Sequence, residues 1–300
     1  MNDPRHFPRS ALLLLTLLTL GWGLNWPVMK IVLAEVPPLY FRGICLFLGG
    51  LGVLTIAALS GQRLTIARAY WRPMLVLTLT NMVGWNVFAV YGVHLLPAGR
   101  AALLGYTMPL WSMPLSAWLL HEKLHLRHAL ALLLGMAGVV LLISEDFGKL
   151  GSAPVGVLCM LSAACFWGLG IVMLKRYALP IPTSTLTGWN MLAGGIPLLV
   201  AAVFLETREL HMPGQMAAWG VMYNVVVAFM FCYWAWNRIV LMMPVAVSSL
   251  SALFIPVIGV LSGMAFLGER PGWQEWLGGL LILAAISTVL PLRGQQQSTR

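Results

Sequence analysis

Charged residues divide this chain into ten long apolar stretches, and that division constrains the fold more than any motif does. No Asp, Glu, Lys or Arg occurs within 10–29, 43–62, 73–99, 101–121, 128–144, 150–174, 177–205, 210–237, 239–268 or 276–292. A helix needs ~20 residues to cross ~30 Å of hydrocarbon. Every stretch meets that length except two of 17 residues, which stand at the lower limit. Only 9% of the 300 residues are charged, far below the roughly one quarter of a soluble domain. Runs such as ALLLLTLLTL are apolar on all sides and lack the period-2 alternation of a barrel strand, so the spans are helices. The expectation is an all-α polytopic membrane protein of ten transmembrane helices. Its loops are too short to hold a soluble catalytic domain.

The segment after Arg5 and Arg9 has the apolar run of a secretory signal, but no small-x-small cleavage site better than Gly21-Trp22-Gly23 follows it. Cys45, Cys159, Cys165 and Cys232 lie inside apolar spans without C-x-x-C spacing and read as small core residues. With ten spans and the N-terminus inside, twelve Lys and Arg fall on the inner side. Six, namely Lys30, Arg42, Arg100, Lys149, Arg208 and Arg270, fall on the outer side. This bias predicts a multi-pass inner membrane protein with both termini cytoplasmic. It also accounts for the net charge of +9 through anionic lipid headgroups, without nucleic acid.

The chain also repeats. WGLNWPVMK at 22–30 lies 145 residues before WGLGIVMLK at 167–175, and Gly43, Gly49 and Gly50 match Gly188, Gly194 and Gly195 at that offset. At an offset of 147, Pro97, Pro109 and Glu122 match Pro244, Pro256 and Glu269. The expected units are a five-helix repeat over 1–148 and a second over 149–300, the latter ending in a short polar tail. Five is odd, so the second copy enters the membrane from the opposite side. Inverted repeats of this kind recur in secondary transporters, with the substrate site between the halves.

W-G-x-N in the first span, the Pro-to-Glu spacing through the fourth, and LGERPGWQEWLGGLLILAAI at 267–286 together resemble the drug/metabolite transporter superfamily, EamA type. The resemblance spans about residues 10–290. It implies a ten-helix exporter of small metabolites, amino acids prominently, with a central cavity lined by the helices other than the fifth and tenth. One departure is Ala131, where the repeat partner is Gly278; Gly135 and Gly138 are expected to carry the close helix contact instead.

One motif points elsewhere. HEKLH at 121–125 fits H-E-x-x-H, which on a helix offers two imidazoles to zinc and a glutamate as general base. Glu122, however, aligns with Glu269, whose neighbours GERPG contain no histidine, so the glutamate belongs to the repeat. The two glutamates are expected at helix ends, pairing with Lys, Arg or orphan backbone donors. No metal and no other cofactor is expected.

Nine acidic residues exist and none lies inside a charge-free stretch. Buried ionisable groups mark ion pathways in membrane proteins, so their absence argues against proton coupling through Asp or Glu. Coupling through His94, Lys30 or Lys175 stays open. The spans carry amides, hydroxyls and large aromatics instead. Trp22, Asn25 and Trp26 share one face of the first helix, and Asn81 and Trp85 are four apart on the third. Tyr106, Trp167, Tyr223, Trp234, Ser248 and Ser251 complete the candidate substrate-binding set. Aromatic faces with polar tips, together with Asn as donor and acceptor, suit a zwitterion with an apolar side chain. The competing reading is that Trp and Tyr form interfacial belts while Asn and Ser join helices. The leading expectation is a facilitative exporter of neutral, apolar or aromatic amino acids and related metabolites by alternating access. The alternatives are a broad drug exporter, an intramembrane zinc hydrolase and a non-transporting receptor. The partners expected are small-molecule substrates and the lipid bilayer.

Overall fold

The computed structural model describes residues 9–122, 126–144, 153–206, 212–236 and 245–289, with only the backbone described at 9–12, 127, 143, 153, 245–253, 286 and 289. The first half contains α1 (Arg9–Gly23), α2 (Asn25–Val32), α3 (Pro38–Leu59), α4 (Trp71–Leu77), α5 (Trp85–Leu95), α6 (Ala98–Gly105), α7 (Met108–Leu120) and α8 (Leu126–Ser144). The second contains α9 (Ala153–Tyr177), α10 (Thr183–Leu205), α11 (Gln215–Tyr223), α12 (Val245–Leu267) and α13 (Trp273–Val289). A π turn, Thr78–Gly84, joins α4 to α5, and a second, Asn224–Phe231, continues α11. Among the described residues, five continuous helices are long and apolar enough to cross a membrane: Pro38–Leu59, Arg68–Leu95, Pro154–Tyr177, Thr183–Leu205 and Gln215–Trp236.

Proline sets where helices begin. Pro38 opens α3 and Pro97 precedes α6, positions where a missing N–H is no loss. A proline flank has no side-chain oxygen to cap the free amides, so distant carboxylates do it. Glu206, at the end of α10, accepts from the Leu39 amide through both carboxylate oxygens, each at 3.0 Å, and from the Tyr40 amide at 3.1 Å. Glu269 accepts from Ala98 N at 2.5 Å and Gly99 N at 3.0 Å. A negative charge at a helix N-terminus is favoured by the dipole as well as by these bonds. At the other polarity, Lys30 Nζ donates to the carbonyls of Val93, His94 and Leu96 at the end of α5, at 3.0, 2.7 and 2.9 Å. Glu122 is taken up by Lys175 and by the Ser116 hydroxyl at 2.5 Å. Both repeat-related glutamates therefore stand at helix ends in the roles expected of them.

Glycine sets how closely helices pack. A Cβ on Gly50 would meet Leu192 N at 2.9 Å, and one on Gly195 would meet Phe47 N at 2.8 Å. Those two contacts exchange under the 145-residue offset, as do Gly43 against Leu199 and Gly188 against Leu54. The α3–α10 crossing is thus reciprocal, as at a two-fold interface. The α8–α13 pair behaves alike: a Cβ on Gly138 would meet Gly278 O at 2.8 Å, while Ala131 and Ala285, their partners at 147, are buried in one cluster. Gly138 carries the close contact expected of it, whereas Gly135 packs against Leu110 on α7.

Three basic residues assigned to outer loops are instead inside helices. Lys30 is on α2, Arg42 on α3 and Arg100 on α6, the last two only 3% and 4% exposed. The expectation failed because α3 begins at Pro38 and α6 at Ala98, each upstream of the charge taken to mark the span boundary.

Candidate functional site

The first span is broken where its cavity-facing residues lie. Pro27 has no N–H to give Gly23 O; the carbonyl faces Ser262 Oγ at 3.5 Å, and α1 ends at Gly23 with α2 starting at Asn25. The Gly21 carbonyl accepts from the Tyr223 hydroxyl at 2.8 Å. Pro109 has the same effect between α6 and α7, leaving Tyr106 and Thr107 at a break and Thr107 Oγ1 on Leu104 O at 2.6 Å. The π turn Asn224–Phe231 packs against the first of these breaks, and π turns locally misalign a helix and often accompany sites. Asn86 Nδ2 donates to Met82 O at 2.9 Å, and Trp22 Nε1 to Ala228 O at 3.1 Å, each bond reaching a carbonyl of a π turn.

The breaks and the second π turn border a central cavity of about 740 Å³ of atom-free space, mouth included. Its aromatic wall is continuous. Tyr233 lies edge-on to Trp22 at 5.6 Å, and Trp167 lies 6.0 Å from Tyr233 and 5.0 Å from Trp85. Phe229 stacks on Tyr233 at 5.6 Å. Trp26 is edge-on to Tyr106 at 6.5 Å and fits there because Gly105 and Gly259 leave it room. Trp22 and Trp167, partners in the repeat, thus approach the same phenol from two helices.

The polar part of the wall is small and incompletely satisfied. Asn25 and Asn86 are buried, and their Oδ1 atoms have no hydrogen-bond partner. Arg42 reaches the cavity beside them; its Nη2 points at Met29 Sδ, its Nε has no partner, and its guanidinium carbon lies 5.1 and 5.5 Å from the Phe41 and Phe229 ring centres. Among the described residues, no acidic one lines the cavity.

Of the residues expected from sequence, Trp22, Asn25, Trp26, Trp85, Tyr106 and Trp167 come together on this wall. Asn81 does not: it packs on Gly170 and lines a neighbouring vestibule of about 1100 Å³ with Thr187 and Asn190. The vestibule shares Trp167, Tyr233 and Trp236 with the cavity and extends to Thr183 at the start of α10. Tyr223 serves the α1 break, and Trp234 is 41% exposed on an outer groove with Met230 and Phe231. The side chains of Ser248 and Ser251 lie outside the described residues. Sequence reasoning missed Arg42 and Asn86, and its candidate set lacks Tyr233, one of the aromatics gathered in the eighth span. Asn86 had a signal, since it follows Trp85, but the i, i+4 rule led to Asn81. Among the described residues, none from α8 or α13 lines the cavity. Within HEKLH, His121 ends α7 with a left-handed φ of 56°; His125 lies outside the described residues.

Apolar helices converging on an enclosed, aromatic-walled cavity define the class as a membrane transporter. The chain belongs to the EamA-like transporter family, whose model matches residues 9–144 and again 154–290. It is 27% identical to the uncharacterized transporter YoaV of Bacillus subtilis over 269 residues, 89% of this chain and 92% of that one. It is 26% identical to a probable amino-acid metabolite efflux pump of Salmonella typhimurium over 279 residues, 90% and 91% of the two chains. A shorter match, 28% over 172 residues, 56% of this chain and 59% of the other, is to the aromatic amino acid exporter YddG of Ancylobacter novellus. A crystal structure of a protein 22% identical shares the fold, with a TM-score of 0.68 over 93% of this chain and 96% of that one.

Proposed function

We propose that the protein exports neutral amino acids with aromatic or other large apolar side chains, by alternating access between two five-helix repeats of opposite orientation. The observation that carries this reading is the cavity wall itself, where Trp22, Trp85, Trp167 and Tyr233 provide apolar faces beside the unpartnered oxygens of Asn25 and Asn86. A broad drug exporter needs the aromatic faces but not the buried amides. The names of the Salmonella and Ancylobacter relatives point the same way. The reciprocal glycine crossings and the double family match support two pseudo-symmetric halves.

The direction of transport follows from the vestibule and the charges. The vestibule ends beside Ala178, Leu179 and Ile181, next to Lys175 and Arg176, which the basic bias assigns to the cytoplasm. Substrate would load there and leave on the side where Lys30 and Glu269 hold the ends of α5 and α6. Both termini are then cytoplasmic in an inner membrane. Lys30 is engaged by three carbonyls and Lys175 by Glu122, His94 is exposed and off the cavity wall, and among the described residues no carboxylate lines the cavity. Without a titratable carboxylate, histidine or lysine on the described wall, a pH gradient has little through which to favour one state over the other, so flux follows the substrate gradient.

The test is counterflow in proteoliposomes loaded with phenylalanine, tryptophan, leucine, glutamate or a cationic dye, with and without an ionophore. The reading requires exchange of the first three, independent of the pH gradient. Exchange of the dye alone would establish the drug exporter, and uphill accumulation driven by pH would end the facilitative part.

A further inference from the structure

Among the described residues, Arg42 is the one charged group on the cavity wall, and its position is not explained by anything described as binding it. It lies one turn inside α3 and is 3% exposed. Its described contacts are a thioether, Met29 Sδ, and two aromatic faces, Phe41 and Phe229. Cys45 and Tyr233, the groups that act on it electrostatically, are a thiol and a phenol, neutral at pH 7. A guanidinium keeps its charge under all ordinary conditions and offers five donors in a planar fork. Burying it without a counter-ion is strongly unfavourable, and Nε is left without any acceptor.

Among the described residues, the elements packed around it supply no hidden anion. On α2 the charged group is Lys30, which is bound to the end of α5; the α5 titratable group is His94, exposed and away from the cavity. The stretch 215–236 contains no charged residue, and Glu206 is occupied by the amides of Leu39 and Tyr40 and the Tyr91 hydroxyl. The repeat partner of Arg42 is Thr187, so the charge belongs to one half only.

We infer that Arg42 is the carboxylate-binding residue of the cavity, and that the protein therefore selects ligands by their carboxylate and excludes amines lacking one. This rests on the exporter reading and specifies its substrate class. A planar carboxylate fits the guanidinium fork through two parallel bonds. Asn25 and Asn86 line the same cavity, and their Oδ1 atoms, buried acceptors without a hydrogen-bond donor, are the groups to take the ammonium of an α-amino acid. The three unsatisfied groups thus match the two ends of a zwitterion, and the Trp22, Trp85 and Trp167 rings take its side chain.

The experiment measures binding of radiolabelled phenylalanine to the full chain in nanodiscs, with competition by 3-phenylpropionate, which lacks the ammonium, and by phenethylamine, which lacks the carboxylate. The expected order is phenylalanine, then 3-phenylpropionate, with phenethylamine failing to compete. Arg42→Gln should weaken phenylalanine binding by at least about 30-fold, as truncating one side of a buried charge pair does, with Arg42→Lys intermediate. Competition by phenethylamine as strong as by 3-phenylpropionate overturns the assignment, as does wild-type affinity in Arg42→Gln. Should Arg42→Gln fail to fold, the ligand order on the wild-type protein still decides. Wild-type protein that binds no phenylalanine overturns the exporter reading and this one with it, a result distinct from phenylalanine binding that ignores Arg42.

Discussion

Replacing Glu206 should separate the contribution of a hydrogen-bonding oxygen from that of a charge. The carboxylate takes the Leu39 and Tyr40 amides at the start of α3 and the Tyr91 hydroxyl at 3.1 Å, and is itself 7% exposed. It stands at the C-terminus of α10, where the dipole of its own helix disfavours a negative charge. The direct amide contacts outweigh that dipole, so the bridge fastens the end of α10 to the beginning of α3. Glu206→Ala removes every acceptor at once. Each buried donor left unsatisfied costs about 1–3 kcal/mol, and for the two amides that gives about 2–6 kcal/mol, the tyrosine being free to turn.

Glu206→Gln is the informative control. One amide oxygen can keep both N–H bonds, as Oε2 does now, while the new NH₂ faces Tyr91, whose hydroxyl can rotate to accept. What is lost is the charge at the α3 N-terminus, at most about 2 kcal/mol in a partly buried setting. The assay is thermal unfolding of the purified protein in detergent, where about 1 kcal/mol moves the midpoint by roughly 2–4 °C. Alanine should lower the midpoint by several degrees more than glutamine. Equal midpoints for the two variants would refute the capping argument, and a larger loss with glutamine would make the charge the dominant part.

Three further outcomes follow from the same geometry. Gly50→Leu and Gly195→Leu should each abolish folded protein on size-exclusion chromatography, because the new side chain meets backbone N atoms at 2.9 and 2.8 Å that cannot give way, whereas Gly272→Leu, with only the Gln274 side chain near, should be tolerated. Lys175 and Ser116 hold the Glu122 carboxyl below its usual range, so its stabilisation is present above the unfolded carboxylate pKa and fades as pH falls through the lower folded value. Because the pair is exposed, it should amount to no more than about 1 kcal/mol, and Lys175→Met should flatten that part of the midpoint-against-pH curve unless His128, also near, replaces it. With the four native cysteines replaced, Ser60→Cys should label from the cytoplasmic side and Arg270→Cys from the opposite one; labelling of both from one side would break the inverted arrangement.

The helical, membrane-spanning character was legible because the lipid solvent leaves few alternatives: apolar length gives helices, five of them among the described residues long and apolar enough to cross a membrane, and a glycine recurring at 145 residues gives the close crossings it later makes. Six of the candidate site residues were legible for a related reason, since Trp and Asn on one helix face must either glue helices or face a cavity. The vestibule residue Asn81 and the outward Trp234 mark the limit of that reasoning. Helical spacing specifies which residues share a face, but a π turn between Asn81 and Trp85 shifts the face by part of a turn, and spacing alone carries no sign of it.

Arg42 was missed for a different reason, and the reason bears on how such a protein comes to have a site at all. Reading charge as punctuation assumes that a cation in a membrane protein belongs at a boundary, as lipid exposure would demand. That assumption holds for a side chain facing hydrocarbon and fails for one facing a cavity closed by other helices. The repeat partners make the distinction concrete. Where the halves agree, as at Gly43 and Gly188, Gly50 and Gly195, or Trp22 and Trp167, the residues form reciprocal crossings and matching walls. Where they differ, as at Asn25 against Gly170 and Arg42 against Thr187, the unsatisfied polar groups described on the cavity wall come from the first half. Two-fold packing lets the halves exchange roles, while a zwitterion has unlike ends and needs a wall that is not symmetric. In a chain built from two copies, the positions that break the repeat are therefore the place to look for the ligand.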